Sequence, residues 1–192
     1  AAGLTHAHPL GRAGAVVHAV ALASVLGTTD ARVDFEIVAS EALRHRLVSG
    51  SPIGARLEMV RDLLAASAGS RSAVEALGNG VVAEDAVPLA LFCFLRWAPD
   101  FDAVVRSTVL CGGDTDTIAA MSGALCGALV GESGLPTTWL DRLENGPKGA
   151  DHIRALADAT FELWCARSRR PGPRLKDIIA DDAAASPSRH GR

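Results

Sequence analysis

The chain has 192 residues, 48% of them hydrophobic, which is ample material for one core. Lys and Arg number 19 against 22 Asp and Glu, a net charge of −3, so there is no basic footprint for nucleic acid or an anionic membrane. Aromatics are only 4% and Tyr is absent, which tells against stacking platforms for single-stranded nucleic acid.

Thirty-five alanines, punctuated by 19 Gly and 9 Pro, favour an all-helical domain with short loops. Ala is the strongest helix former and a weak strand former. At the N-terminus, Thr5-His6-Ala7-His8-Pro9 reads as a loop feeding straight into a helix. Residues 14–26 are apolar or small except for His18 and Ser24. A helix apolar all round belongs in the middle of a larger packing, so the expectation is that something N-terminal to it is missing. His18 reads as a core histidine with a hydrogen-bond partner. Residues 31–48 read as an amphipathic helix with Val33, Ile37, Val38, Ala42, Leu43 and Leu47 on one stripe and Asp30 as its N-cap. Ser49-Gly50-Ser51-Pro52 breaks it.

A helix over 53–68 follows, with Leu57, Val60, Leu63 and Leu64 on its apolar face. Residues 74–77 make a short helical turn, and Gly78-Asn79-Gly80 a loop that needs permissive backbone. Asp85 can cap a helix over 86–98, with Pro88 tolerated in its first turn. Pro99-Asp100 ends that helix, and 101–110 is another. Beyond Thr117 an apolar helix runs to Val130, and Gly123, Gly127 and Gly131 line one face at a spacing that lets another backbone pack closely. A short helix covers 135–143, and the last spans 151–166 with Ile153, Leu156, Ala157, Phe161 and Trp164 in phase. The periodicity then fades, so the expected organisation is one helical domain over 1–166 and a disordered tail over 167–192.

Cys93, Cys111, Cys126 and Cys165 show no Cys-x-x-Cys spacing, and three lie in apolar runs. They read as buried reduced thiols rather than a disulfide or zinc framework. No signal-peptide pattern opens the chain. The longest stretch free of charge and histidine, 117–131, is short and mild against the about 20 apolar residues of a membrane span. A soluble cytoplasmic protein with no nucleic-acid or membrane partner is expected.

Chemistry concentrates in Gly112-Gly113-Asp114-Thr115-Asp116-Thr117. Two carboxylates and a hydroxyl form an all-oxygen cluster of the kind that suits hard cations such as Mg²⁺ or Mn²⁺. The glycines permit close backbone approach to a ligand. Two aspartates more than offset the positive end of the helix dipole and leave coordination positions open for water and substrate. The plainer account makes Asp114 an N-cap and Asp116 a first-turn acid. The Asp-x-Asp spacing is also similar to the nucleophile loop of aspartate-based phosphatases, but that loop needs a parallel sheet that alanine-rich helices do not provide. His6 and His8 could start a zinc site, yet no further Cys or His is spaced to complete it.

The string from Gly112 to Ala128 resembles the ADP-ribosylglycohydrolase family, which includes the dinitrogenase reductase-activating glycohydrolase. The family pattern reads approximately G-G-D-T-D-T-I-A-A, then a hydrophobic residue and G-A repeats. Leu77-Gly78-Asn79-Gly80 with Ala83 to Ala90 resembles its glycine loop and V-P-x-A helix start, and Thr5-His6 with Pro9 its T-H motif. The resemblance implies an all-α, compact orthogonal helical fold with two Mg²⁺ (or Mn²⁺) ions at the base of a cleft. It implies hydrolysis of the glycosidic bond joining ADP-ribose to a protein side chain, often arginine or serine, or to a related acceptor. Asp114, Asp116 and Thr117 fall on a metal-ligand triplet. His6, Gly78, Gly80, Gly112, Gly113 and Thr115 fall at the ADP-ribose site.

The family's other ligands, a T-D-D-type triplet, and its catalytic acid belong to an N-terminal half and have no counterpart here. Gly27-Thr28-Thr29-Asp30 is the nearest string, but it lies after the T-H motif. The chain is therefore expected to be the C-terminal portion of the family fold, lacking its N-terminal helices, with half of a metal site and a missing N-terminal half as a partner. No residue is identified as catalytic. Besides a Mg-dependent hydrolase, a non-catalytic ADP-ribose-binding or protein-interaction remnant and a purely structural helical module stay open.

Overall fold

The computed structural model describes residues 2–4, 7–28 and 33–168. The elements among them are α1 (Pro9–Gly27), α2 (Phe35–Leu43), α3 (Arg46–Ser49), α4 (Pro52–Ala65), α5 (Ser70–Leu77), α6 (Ala83–Trp97), α7 (Phe101–Leu110), α8 (Thr115–Val130), α9 (Thr137–Leu140) and α10 (Ala150–Ser168), with two short 3₁₀ turns. There is no strand among the described residues. The fold is all-α. The chain divides into two compact units, Ala1–Pro136 and Thr137–Arg192.

In the first unit the central helix is α6, not the apolar N-terminal helix. Every residue from Ala86 to Phe94 is buried, and α1, α4, α5, α7 and α8 all pack on it. Phe92, Phe94, Leu89 and Leu91 are among the largest fully buried side chains. Each such side chain contributes about 1.5–3 kcal/mol on leaving water. By length and apolar composition α1 could cross a membrane. Here Ala13, Val17, Val20, Ala21 and Val25 join a core cluster with Val38, Ile53, Leu91, Phe94 and Leu125. Its other side is covered less well, and Leu26 is 69% exposed. His18 does find a partner, as its Nε2 lies 3.2 Å from the Met121 carbonyl of α8.

A second cluster gathers Val60, Ala73, Leu77, Leu89, Phe92, Cys93, Cys111 and Ile118. Cys111 and Ile118 bracket the segment 112–117, so that segment is held to the core at both ends.

Several element boundaries differ from the sequence reading. The helix expected over 31–48 is two helices. Asp34 caps α2, its Oδ1 accepting the Glu36 N–H at 2.8 Å. The chain turns at Arg44-His45, and His45 caps α3 through Nδ1. Asp30, the expected cap, lies outside the described residues. The turn expected over 74–77 extends back to Ser70 as α5. α6 starts at Ala83, which puts Asp85 inside its first turn rather than at its cap. The glycine face of α8 receives side chains rather than a backbone: a Cβ added at Gly123 would meet Val105 and Phe101 of α7, and one at Gly127 would meet Phe101.

In the second unit Asn145 and Asp151 brace the start of α10. The Asn145 Nδ2 donates to Asp151 Oδ2 at 2.7 Å, and the Asp151 N–H donates to Asn145 Oδ1 at 3.0 Å. The α10 side chains Ile153, Leu156, Phe161 and Trp164 are exposed. α10 ends at Ser168, and the rest of the expected tail lies outside the described residues.

Candidate functional site

Two loops meet to form the site: 78–82 between α5 and α6, and 111–114 between α7 and α8. Helix α7 stops at Cys111, and Gly112 and Gly113 follow with φ of 66° and 68°. That left-handed pair turns the chain into α8. Gly113 has a second reason to lack a side chain, because an added Cβ would lie 2.0 Å from the Asn79 carbonyl oxygen. The close approach serves a hydrogen bond. The Asp114 N–H donates to the Asn79 carbonyl at 2.9 Å, and the Asn79 Nδ2 donates to the Cys111 carbonyl at 2.8 Å. One residue thus clamps both ends of the second loop.

Asp114 occupies the N-cap position of α8, but its side chain makes no capping hydrogen bond. Asp116 is on the first turn and exposed, as is Thr117. The Asp116 carboxyl is held below the usual carboxylate range, first by its hydrogen bond with the Asp114 carboxyl, then by the backbone N–H of Thr117 and its own. The positive end of the helix favours charge there. Two carboxylates and one hydroxyl therefore stand together at a helix start. This donor set is all oxygen, the ligand chemistry of a hard divalent cation. Among the described residues no group of three or more His, Cys, Asp and Glu is placed to hold a metal.

The first loop is shaped by Asp85. Gly78 has φ of 77°, and an added Cβ there would lie 2.7 Å from the Asp85 carboxyl carbon. At Gly80 an added Cβ would lie 3.0 Å from Asp85 Oδ2. Arg56 of α4 holds that carboxylate at 3.1 Å and also donates to the Leu77 carbonyl at the end of α5. Gly78, Gly80, Gly112, Gly113 and Asp114 therefore lie on two loops that Asn79 ties directly together, and Thr115, Asp116 and Thr117 form the first turn of α8 that follows. His6 and Thr5 lie outside the described residues. His8 accepts the Leu10 N–H as the N-cap of α1.

The sequence reading missed the bridging roles of Asn79 and Asp85, and it did not single out Arg56. The Gly-Asn-Gly string signals a tight loop, and Asn is the one side chain in it able to bridge. Nothing local marks Arg56, which reads as one more polar residue of α4.

Residues 1–170 match the family model described as ADP-ribosylglycohydrolase. The human protein named ADP-ribosylhydrolase ARH3 is 35% identical over 188 residues, covering 84% of this chain and 50% of that protein. The Danio rerio protein of the same name is 31% identical over 187 residues, covering 84% and 50%. The Escherichia coli protein named Uncharacterized protein YegU is 37% identical over 138 residues, covering 66% of this chain and 40% of that one. The chain spans about half the length of the curated relatives it matches.

Proposed function

Because this chain belongs to the ADP-ribosylglycohydrolase family, we propose that its 112–117 loop supplies one side of a Mg²⁺ or Mn²⁺ site at which the glycosidic bond between ADP-ribose and a protein side chain is hydrolysed. The observation that carries the reading is the uncapped Asp114 carboxylate at the start of α8, with Asp116 and Thr117 beside it. A capping role alone would turn that carboxylate onto the helix N–H groups. Asp114, Asp116 and Thr117 would hold the cation. The cation supplies charge that orients ribose hydroxyls and makes a bound water acidic.

The glycine backbones have the complementary task. Gly112, where an added Cβ would meet nothing closer than 3.7 Å, leaves its main chain open to a ribose or pyrophosphate, while Gly78, Gly80 and Gly113, whose side-chain space Asp85 and Asn79 fill, join as ADP-ribose contacts by family resemblance. Thr115 adds a hydroxyl at the loop edge, and His6 joins as an ADP-ribose contact by family resemblance. Remaining ligand positions go to water, substrate and the length of the relatives that this chain does not span. The ADP-ribosylated protein is the natural substrate, and the cytoplasm is the proposed compartment, where Cys93, Cys111, Cys126 and Cys165 stay free thiols.

Calorimetric titration of ADP-ribose, with and without Mg²⁺, tests this on the wild-type chain and an Asp114→Ala/Asp116→Ala double variant. The expected result is Mg²⁺-dependent binding that the double variant loses. Binding that ignores the metal and survives in the variant moves the reading to a non-catalytic ADP-ribose-binding module. No binding by a folded sample rejects the loop as a working half-site.

A further inference from the structure

Cys93 and Cys111 are two nucleophilic side chains that the loop chemistry leaves unused. Cys93 sits on α6 and is fully buried, whereas Cys111 caps α7 and keeps 7% of its surface. Their sulfurs are 3.9 Å apart. A disulfide needs about 2.05 Å, so closure brings the two sulfurs nearer by roughly 2 Å. No other pair of cysteines is recorded in contact among the described residues. Cys126 is buried beside the Pro99 carbonyl, and Cys165 lies on α10.

The two sulfurs are not equivalent. The hydrogen bond between the two thiols brings the Cys111 thiol down to about 7, with burial opposing and the Ser70 hydroxyl assisting. The same contact, together with burial, pushes the Cys93 thiol up. Cys111 is therefore the sulfur that ionises first, on the one residue of the two that keeps some exposed surface. A thiolate, not a thiol, attacks an oxidant.

We propose that Cys93 and Cys111 form a dithiol modification site for hydroperoxides, closing into a disulfide that links α6 to the residue leading into Gly112-Gly113-Asp114. The Cys111 thiolate attacks a peroxide oxygen: an S–O bond forms, the O–O bond breaks, and the remaining oxygen leaves as hydroxide or alkoxide. The Cys93 sulfur then displaces hydroxide from the Cys111 sulfenic acid, and its proton goes with that hydroxide as water. Two thiols lose two electrons and two protons, and the hydroperoxide becomes one water and one alcohol, or two waters from hydrogen peroxide.

The test treats the folded, reduced chain with a small excess of hydrogen peroxide, blocks the remaining thiols and maps tryptic peptides by mass. Cleavage at Arg96 and Arg106 parts Cys93 from Cys111, and a second digestion with Asp-N, before Asp114 and Asp116, parts Cys111 from Cys126. The expected product is a Cys93–Cys111 cross-link that dithiothreitol reverses, with Cys126 and Cys165 alkylated. A Cys93→Ser variant stops at a Cys111 sulfenic acid that dimedone traps. A Cys111→Ser variant loses thiol to peroxide roughly tenfold more slowly. The wild-type map alone decides the linkage, whether or not the variants fold. A map with Cys111 unlinked, over-oxidised, or joined to Cys126 or Cys165 overturns the proposal.

Discussion

At Gly113 two demands fall on one residue, a left-handed backbone and a carbonyl oxygen where a Cβ would be. Gly112 carries only the first, since an added Cβ there meets nothing closer than the Asn79 Nδ2 at 3.7 Å. Gly112→Ala is therefore expected to cost about 1 kcal/mol and Gly113→Ala roughly 2–4 kcal/mol, as backbone strain and a displaced hydrogen bond add. Urea unfolding of both variants checks the order, and equal costs would show that the Asn79 contact is soft. Cys111 offers a pH test at the same scale. Its thiol ionises near 7 in the folded chain against 9.0 ordinarily, so the unfolded state holds more proton between those values. Stability is expected to rise from about pH 7 to 9, with this contribution absent below 7, and Cys111→Ser should flatten that rise in urea midpoints. Above 9 the raised Cys93 thiol acts with the opposite sign. The oxygen donors of this site were legible in the sequence because they are consecutive. Asn79 was not, because its partner Cys111 lies 32 residues away, and no local pattern announces a side chain that bonds across such a distance.

Helix α6 owes its place to an unbroken run of buried residues, and α4, α7 and α8 lean on it. Two polar pairs hold these helices in register. Arg56 and Asp85 join α4 to α6 with side chains only 25% and 20% exposed. Arg56→Leu leaves that carboxylate half-buried and the Leu77 carbonyl without this donor, an expected loss of about 1–3 kcal/mol. Adding Asp85→Asn should recover part of it, and a double-variant cycle measures the coupling. Between α7 and α8, Thr108 and Ser122 are fully buried with hydroxyls 3.0 Å apart. Thr108 faces the Val104 carbonyl at 2.8 Å and Ser122 the Ala119 carbonyl at 3.3 Å, so either hydroxyl can supply the proton they share. Thr108→Val is expected to cost only about 1 kcal/mol in a thermal melt, because Ser122 keeps the Ala119 carbonyl at 3.3 Å as an acceptor. The boundary that sequence missed belongs to this scale as well. One apolar stripe ran through 31–48, but Asp34 starts α2 with a side-chain cap and His45, after the turn at Arg44, starts α3 with another. Periodicity reports which face is buried and is silent about a turn that preserves the face.

Both core clusters draw their buried residues from Ala13 to Cys126, within the first compact unit. A chain ending at Pro136 is therefore expected to unfold cooperatively, with a midpoint within a few degrees of the full chain. A broad or absent transition would show that the unit does not stand alone. All-helical architecture was legible at this scale because alanine content and short loops leave no material for a sheet. The central place of α6 in the first unit was not legible, because α1 and α6 are both apolar in sequence. Large side chains on α6 fill the middle, and small ones on α1 suit a one-sided packing. The Asn79 clamp has a final consequence, in time. Its two hydrogen bonds cross a loop of more than thirty residues, so they cannot form until α6 and α7 have docked and that closure entropy has been met. The candidate site is then among the last parts to assemble. In pulse-labelled refolding the Asp114 amide should gain protection after the interior amides of α8, which need only their own helix.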